Sequence, residues 1–340
     1  MLDLTYIRRH PDEVQQNADR KKVRVDIREL LRVDDALKSL TREIEIRRAD
    51  QKAASKVKPD ADTQQRLRRL ADEISKSKEQ QRQLQSKLSG FLLKVPNLAS
   101  LDTPVGIDAS GNQVLREVGS RRHFNFTPKP HWELGTALGV LDVERAGEIA
   151  GTRFVYLKGP LVLLQFALLQ HAFATLTSES KLEQIIESAR LDVPPTPFTP
   201  VVPPVFIRPE IFNEMARLEP RDERYHIPSE DLFLIGSAEH TLGPLHRGEI
   251  IAEQDLPIRY VGYSTCFRRE AGSYGQDVRG MIRVHQFDKL ELESFTAPER
   301  STVEQDFFVA IQEHLLTTLN LPYRVVQMCT GDMAAPDARQ

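Results

Sequence analysis

The apolar residues between positions 27 and 94 recur every three or four residues, as they do along one face of an α-helix. The first half of this segment carries an unbroken heptad seam, which consists of Leu30, Val33, Leu37, Leu40 and Ile44. The second half carries a similar seam with two polar positions: Leu67, Leu70, Ile74, Ser77, Gln81, Leu84 and Leu88. Pro59 lies in the polar break between them. The pattern predicts an antiparallel coiled-coil hairpin whose arm projects roughly 45 Å.

From residue 121 onward, short apolar runs that suit strands alternate with helical segments. Residues 154–157 and 201–207 are predicted to be strands, and the apolar run between them predicts a buried helix over Leu161–Leu176. Strand runs with helices on one side favour an α+β fold with a mainly antiparallel sheet. A Gly-x-x-x-x-Gly-Lys loop does not occur, which argues against a P-loop nucleotide site.

Residues 264–295 predict a hairpin that brings arginines, carboxylates and an aromatic ring together. Residues 265–268 and 281–287 are predicted to be its strands, with Gly272, Gly275 and Gly280 in the connection. Its chemically informative side chains are Arg268, Glu270, Arg283, Phe287 and Glu291. Guanidinium groups bind phosphate or carboxylate, carboxylates bind ammonium or hydroxyl groups, and an aromatic face can stack on a base. A surface hairpin with internal charge pairs is the alternative.

The charge of the chain is unevenly distributed. The net charge is -3, yet residues 20–94 carry 21 Lys/Arg against 12 Asp/Glu, which favours a local contact with a polyanion or simply a solvated helical face. Two cysteines are too few for a disulfide framework, and no His or Cys pair has metal-ligand spacing. No apolar run is long enough to span a membrane, so we expect a cytoplasmic protein.

Several motifs resemble those of bacterial seryl-tRNA synthetases, which are class II enzymes. Residues 267–273, 279–280 and 285–289 resemble their motif 2, and residues 233–240 resemble their serine-binding loop, with Gly236 and Ser237 in place of the usual Pro-Thr. Residues 1–17, 131–135 and 329–333 resemble other parts of these enzymes. The resemblance therefore covers nearly the whole chain.

The resemblance implies a tRNA-binding domain over residues 1–103, with its coiled-coil arm at about 27–94, followed by a class II catalytic domain over 104–340. The arm would bind tRNA(Ser), with tRNA(Sec) as a further candidate. The residues expected to contact tRNA are Arg47, Arg48, Lys52, Arg66, Arg69 and Arg279. Leu161–Leu176 together with Val202, Pro203 and Pro204 would form motif 1 and a homodimer interface, although the local sequence fits an ordinary edge strand equally well.

The resemblance also assigns roles at the site. Serine would be bound by Ser237, Glu239, Arg268 and Glu291, with Glu239 on the ammonium group and Glu291 on the hydroxyl. ATP would be bound by Arg268, Glu270, Arg283, Val284 and Phe287. Arg268 would also stabilise charge at the reacting phosphate, which makes it the catalytic residue. Glu293 shares the strand face of Glu291, and His285 is expected to be structural.

ATP with Mg²⁺ is the implied cofactor, and no metal ligand is expected within this chain. The family continues beyond the position of Gln340 into motif 3, so the resemblance implies a truncated copy that does not complete the reaction alone. Two other functions stay open. One is a non-catalytic paralogue that binds RNA or dimerises, against which the retained site residues argue. The other is a ligase that loads an amino acid onto a carrier protein, against which the long arm argues.

Overall fold

The computed structural model describes residues 2–54, 60–270 and 279–340, and these residues divide into two compact units. Unit 1 contains residues 1–117 and 324–340, and unit 2 contains residues 118–323. These units do not follow the predicted domain limits of 1–103 and 104–340, because the last seventeen residues of the chain cluster with the first unit. Pro59, Gly272 and Gly275, predicted to lie in turns, fall outside the described residues.

Unit 1 is built on two long helices. Its elements are α1 (Leu4–Arg9), α2 (Pro11–Arg20), α3 (Ile27–Ala54), α4 (Ala61–Leu92), β1 (Gln113–Val118) and β10 (Tyr323–Gln327), and β1 pairs with β10. The predicted hairpin of helices over residues 27–94 is therefore confirmed as α3 and α4. Asp60 caps α4 by accepting a hydrogen bond from the backbone N–H of Thr63.

The base of the hairpin is fixed by an apolar cluster and by ion pairs to a buried carboxylate. Ile7 and Val14 from the first two helices pack with the seam residues Leu30, Val33 and Leu88. Beside this cluster, the guanidinium of Arg8 donates two hydrogen bonds of 2.8 Å to the buried carboxylate of Asp34. Lys38 also contacts Asp34, at 2.7 Å. Because the carboxylate has both partners, its burial does not leave an uncompensated charge.

The two polar seam positions are satisfied from the facing helix. The Oγ of buried Ser77 accepts a hydrogen bond of 2.9 Å from Arg47, and Gln81 donates one of 2.8 Å to the hydroxyl of Thr41. These pairs set the register of α3 against α4, because a shift of either helix would leave buried polar groups without partners.

Unit 2 contains the remaining elements. Its helices are α5 (His131–Ala137), α6 (Glu144–Ala150), α7 (Pro160–Leu176), α8 (Glu179–Ala189), α9 (Pro209–Glu214), α10 (Glu239–Leu242) and α11 (Ser301–Thr318). Its strands are β2 (Leu141–Asp142), β3 (Tyr156–Leu157), β4 (Thr199–Val201), β5 (Phe206–Ile207), β6 (His226–Ile227), β7 (Leu232–Leu234), β8 (Ile258–Phe267) and β9 (Gln286–Phe295). Short 3₁₀ turns cover Ala109–Gly111 in unit 1, and Arg221–Glu223, Glu253–Asp255 and Pro298–Arg300 in unit 2.

Antiparallel pairing dominates the sheets, as predicted. Strands β8 and β9 pair antiparallel over ten residues, with Ile258 opposite Phe295 and Phe267 opposite Gln286. Strand β4 adds to β8 in parallel, while β5, β7 and β6 form a separate antiparallel sheet. The α+β fold class is therefore confirmed.

A fully buried ion pair fixes the start of β8. Arg259 contacts Glu304 of α11 through two hydrogen bonds, of 2.6 and 2.8 Å, and donates two more to the carbonyl oxygens of Pro194 and Thr196. The guanidinium carbon also lies 4.6 Å from the ring centre of Phe307, within the main apolar core of the unit. Such complete pairing holds the strand that carries one side of the site.

Three local predictions need correction. Residues 281–285 are not a strand, because their backbone groups bond elsewhere: Met281 N–H donates to His131 and His285 N–H donates to Arg153. The predicted strand over 201–207 is interrupted at residues 202–204, where two prolines lack the N–H needed for pairing. Only Tyr156–Leu157 of the strand predicted over 154–157 is formed.

Helix α7 forms where it was predicted, but most of it is not buried. Leu163 is 71% exposed and Phe166 is 55% exposed, and only Thr175 and Leu176 at its C-terminal end are buried. Within the described ranges no single helix has both the length and the apolar composition of a membrane span, whereas α7 and α8, which meet at 77°, satisfy these criteria only when taken together.

Candidate active site

The site lies on one face of the β8–β9 hairpin, beneath the segment that connects β7 to α10. Because side chains alternate along a strand, Phe287, Lys289, Glu291 and Glu293 of β9 share this face. Gly262 of β8 lies opposite Glu291. A Cβ atom on Gly262 would lie 2.3 Å from a methyl group of Leu242 and 3.2 Å from the Cβ of Ala238, so the glycine allows this segment to lie directly on the strand.

Glu291 is the centre of a hydrogen-bond network. Its carboxylate accepts hydrogen bonds from the hydroxyl of Ser237 (2.6 Å to Oε2, with a shorter contact to Oε1), the ammonium of Lys289 (2.7 Å) and the backbone N–H of Glu239 (3.0 Å). Lys289 also donates to the Ser237 hydroxyl, at 2.9 Å. Burial by itself would raise the pKa of Glu291, but these hydrogen bonds outweigh it and hold the pKa below its ordinary value. Glu291 is therefore a partly buried carboxylate that is ionised at neutral pH.

The carboxylate of Glu239 is paired with Arg217, a residue that the sequence did not single out. The Nε of Arg217 donates a hydrogen bond of 2.8 Å to Oε1 of Glu239, and a second guanidinium nitrogen contacts the same oxygen. Both side chains are about one-quarter exposed. The structure thus brings Glu239 beside Glu291, as predicted, but gives its carboxylate a protein cation as a partner.

Glu293 is a third carboxyl group in the same place. Burial, reinforced by the negative charges of Glu239 and Glu291 and only partly opposed by Arg217 and Lys289, raises the pKa of Glu293 to about 7. None of the hydrogen bonds found among the described residues involves this carboxyl group. The strand alternation through Glu291 was the sequence signal that could have identified both Glu293 and Lys289.

Arg268 lies at the end of β8, between Phe287 and the segment that connects β7 to α10. Its guanidinium donates to the carbonyl oxygen of Gly236 at 3.2 and 3.3 Å, and its central carbon lies 5.2 Å from the ring centre of Phe287. The backbone of Arg268 is held by His285, whose Nδ1 lies 2.8 Å from the Arg268 carbonyl oxygen and whose own carbonyl accepts from the Arg268 N–H. His285 therefore has the structural contacts that were expected of it, and its Nδ1 carries the proton that it donates.

Glu270 and Arg283, both assigned to ATP, form an ion pair. The Arg283 guanidinium donates a hydrogen bond of 2.7 Å to Oε2 of Glu270. Glu270 has a left-handed backbone conformation with φ of 53°, which is uncommon for a residue other than glycine. Arg153 donates to its carbonyl oxygen at 3.1 Å and so helps to hold this conformation. Val284, the neighbouring residue assigned to ATP, is buried.

Two residues close to Gly236 were not predicted as site residues. His240 is buried, and its Nδ1 accepts a hydrogen bond of 3.2 Å from the backbone N–H of Gly236. Burial, followed by the positive charge of Arg224, lowers the pKa of His240 to about 3, so the ring is neutral and its proton resides on Nε2. The Nε of Arg224 is itself buried without a hydrogen-bond partner in the part of the chain that the structure describes.

Arg279, predicted to lie near tRNA, packs on an aromatic residue. Its guanidinium carbon lies 5.5 Å from the ring of Trp132, and both residues line a cavity of about 510 Å³. Gly280 follows with φ of 85°. A Cβ atom at Gly280 would lie 2.1 Å from the Nε2 of His131, so only glycine fits this close approach.

The basic residues predicted on the arm do not all face outward. Arg48, Lys52, Arg66 and Arg69 are exposed, but Arg47 is partly buried by its hydrogen bond to Ser77. In the motif 1 region Val202 is 80% exposed and Pro204 is also exposed, while Pro203 is buried. Among the described residues, no group of three His, Cys, Asp or Glu side chains is arranged to hold a metal ion.

Two family models match the chain. One is described as the seryl-tRNA synthetase N-terminal domain and matches residues 1–99. The other is described as the tRNA synthetase class II core domain (G, H, P, S and T) and matches residues 224–339. The matched regions contain the coiled-coil arm and the network around Glu291, respectively.

Similar proteins and structures point the same way. A serine–tRNA ligase of Thermodesulfovibrio yellowstonii is 35% identical over an alignment of 351 positions. The alignment covers 100% of this chain and 79% of that protein. One of Dehalococcoides mccartyi (strain BAV1) is 37% identical over 340 residues, which cover 100% and 78%. The crystal structure of seryl-tRNA synthetase from Pyrococcus horikoshii complexed with ATP matches with a TM-score of 0.83 at 30% identity. The match covers 100% of this chain and 79% of that structure's chain. The cytoplasmic serine–tRNA ligase from Naegleria fowleri, at 24% identity and a TM-score of 0.78, shares the fold.

Proposed function

Because the chain belongs to the seryl-tRNA synthetase family, we propose that its unit 2 activates serine with ATP and that its arm binds the tRNA that receives the serine. In the first step the carboxylate of serine attacks the α-phosphorus of ATP and pyrophosphate leaves, which gives seryl-adenylate. In the second step a hydroxyl group at the 3′ end of tRNA(Ser) attacks the seryl carbonyl and AMP leaves.

The observation that carries this proposal is the ionised carboxylate of Glu291 at the floor of the site. It already accepts a hydrogen bond from the hydroxyl of Ser237, so its surroundings suit a hydroxyl donor. A carboxylate has about four acceptor positions, and a serine substrate can supply a further hydroxyl. Alanine has no hydroxyl group to donate to the remaining acceptor position, so it would gain less binding energy than serine, which is the physical basis for its rejection.

ATP would be bound at the other end of the same strand face. Phe287 would stack on the adenine ring, and the Glu270 carboxylate would accept from the adenine amino group. Arg283 and Arg268 would bind phosphate oxygens. For this, Glu270 and Arg283 have to exchange part of their mutual ion pair for contacts with the nucleotide. The positively charged guanidinium groups of Arg268 and Arg283 can then stabilise the negative charge that develops on the phosphate oxygens.

Mg²⁺ would enter with the nucleotide. The carboxylates of Glu239 and Glu291 are engaged by Arg217 and Lys289, and a cation-binding cluster was not found in the described ranges. Mg²⁺ commonly keeps several water molecules and binds through substrate phosphates. The phosphate oxygens of ATP are therefore the ligands that we assign to it.

The arm and helix α7 would provide the macromolecular contacts. Four exposed basic residues of the arm, Arg48, Lys52, Arg66 and Arg69, can approach RNA phosphates, whereas Arg47 supports the seam. The exposed apolar side of α7 and the neighbouring Val202 would be covered by a second copy of the chain in a homodimer. The tRNA substrate is in the cytoplasm, where we place the reaction, and tRNA(Sec) is a second candidate substrate.

The direct test is ATP–pyrophosphate exchange with the protein expressed from its complete gene. We expect exchange that depends on serine and that alanine and threonine support far less. Glu291→Gln should lower kcat/KM for serine by about 10- to 100-fold, because the ionised acceptor is lost. Glu299→Gln is the matched control, since Glu299 is exposed beyond the end of β9. Exchange driven equally by alanine would refute the assignment of Glu291. The absence of exchange with every amino acid tested would favour the non-catalytic alternative.

A further inference from the structure

The carboxyl groups of the proposed amino-acid pocket differ in the number of protein hydrogen-bond donors that they have. The carboxylate of Glu291 has three protein donors, and the carboxylate of Glu239 has Arg217. Glu293 is half-buried on the same strand face, and no hydrogen bond among the described residues reaches its carboxyl group. A half-buried carboxyl group in such a position is an acceptor that a cationic or hydrogen-bonding ligand can use.

The groups that face Glu293 come from three directions. On its own strand Lys289 and Glu291 precede it, and across the hairpin it lies opposite Tyr260 of β8. The hydroxyl of Tyr260 is hydrogen-bonded to His246 at 3.0 Å. From the overlying segments come the paired charges of Glu239 and Arg217. The two cations near Glu293 are thus each engaged by another carboxylate, Arg217 by Glu239 and Lys289 by Glu291.

We propose that Glu293 is a further substrate-binding residue and that it receives the α-ammonium group of the amino acid. This inference rests on the proposed function, because it deepens the description of the same pocket. Glu291 binds the hydroxyl and Arg268 binds the carboxylate of the amino acid. Glu293 accepts from the ammonium group, because the carboxylate of Glu239 is already paired with Arg217. Glu239 then acts mainly as the anchor of Arg217 and as a negative charge next to the ammonium.

Binding of the amino acid through Glu293 releases a proton from its carboxyl group. In the free pocket the Glu293 carboxyl group is partly protonated at neutral pH, because burial and two neighbouring carboxylates raise its pKa to about 7. When an ammonium group binds, the carboxyl group loses its proton to solvent and forms a charge-assisted hydrogen bond with the ammonium. Serine binding at pH 7 should therefore release about half a proton per site, and less at pH 8.

The first experiment measures KM for serine and for ATP by pyrophosphate exchange between pH 6 and pH 8. In the unmodified protein the KM for serine should rise about tenfold as the pH falls from 8 to 6, because the ionised fraction of Glu293 falls by that factor. Glu293→Gln should raise the KM for serine about tenfold or more at pH 8 and remove this pH dependence. Glu293→Asp should restore the pH dependence in part, and the KM for ATP should change little. Glu299→Gln is the control that should behave like the unmodified protein.

The second experiment measures proton release on serine binding by titration calorimetry in two buffers of different ionisation enthalpy. Release should occur with the unmodified protein and vanish with Glu293→Gln. A serine KM that keeps its value and its pH dependence in Glu293→Gln would overturn the inference, and so would unchanged proton release. Both of those outcomes still include serine-dependent exchange, whereas failure of the proposed function appears as the absence of such exchange in the unmodified protein.

Discussion

Burial shifts the pKa values of His240 and Glu293 in opposite directions. The pKa of His240 falls to about 3 and the pKa of Glu293 rises to about 7. Each shift disfavours the charged form of its group. The histidine therefore makes the fold less stable as the pH falls below about 6.5, and the glutamate makes it less stable as the pH rises from about 4.5 to about 7.

The contribution of His240 can be measured by replacing it with glutamine. Between pH 6.5 and about 3 the unfolded state takes up a proton at this residue and the folded state does not, so stability is lost as the pH falls. From pH 7 to pH 5 the unmodified protein should lose roughly 2 kcal/mol of unfolding free energy that His240→Gln does not lose. Chemical denaturation at the two pH values gives this difference. His123→Gln, at an exposed position, should retain the full loss, and an equal loss in His240→Gln would contradict the assignment.

Motifs in the sequence pointed to residues that lie together in the structure, but they could not point to a contact that depends on a distant partner. Glu291 and Ser237 were identified from their motifs, and the structure places them in one hydrogen-bond network. Arg217 could not be identified, because its pairing with Glu239 arises from the fold of the segment after α9 and leaves no local pattern. The roles assigned to individual side chains stay predictions that the kinetic experiments test.

At the scale of elements, periodicity predicted the arm well. The heptad seam gave both helices, and the two polar seam positions Ser77 and Gln81 have partners on the facing helix. Prediction was wrong for residues 281–285, where an alternating pattern suggested a strand. The pattern reports which side chains can be buried, but the backbone partners came from residues 131 and 153, far away in the sequence.

Helix α7 illustrates a second limit. Its apolar composition predicted burial, yet Leu163, Leu164 and Phe166 are mostly exposed. Composition shows that a surface has to be covered and cannot show whether the same chain covers it. The proposed homodimer resolves this conflict, because a second chain would cover the exposed side.

The dimer proposal predicts the effect of a charge on α7. Leu163→Glu should shift the protein from dimer to monomer at micromolar concentration, since an unpaired carboxylate would be buried at the interface. Sedimentation velocity measures the change. Gln184→Glu adds the same charge at an exposed polar position of α8 and should leave the dimer intact at that concentration. A Leu163→Glu protein that sediments as a dimer would exclude α7 from the interface.

At the scale of the whole molecule, the sequence predicted two domains, and the structure contains two compact units. The arm, the α+β class and the family were predicted, while the compact units have different limits because the last seventeen residues return to unit 1. The buried Lys21 contributes there by donating to the carbonyl oxygens of Ala335 and Asp337. The chain spans 78–79% of the length of the relatives compared, and the expectation about motif 3 stays a prediction.

If unit 2 activates serine and the arm binds tRNA, only the transfer of serine to tRNA should depend on the arm. The arm can be shortened by replacing residues 43–79 with a short Gly-Ser turn. This change keeps the Thr41–Gln81 hydrogen bond and the cluster around Ile7, Leu30 and Leu88 at the base. A second variant changes Arg48, Lys52, Arg66 and Arg69 to glutamine. Its matched control changes four exposed basic residues near the base: Arg9, Arg20, Lys22 and Arg24.

The most direct test of the whole account is the transfer of labelled serine to transcribed tRNA(Ser), measured beside pyrophosphate exchange in the same preparations. The protein from the complete gene should exchange pyrophosphate with serine and charge the tRNA. The shortened variant should retain exchange within about twofold and lose charging by a factor of a hundred or more, because each phosphate contact contributes to RNA affinity. Charging by the shortened variant at the rate of the unmodified protein, or no transfer of serine by the unmodified protein, would contradict the account.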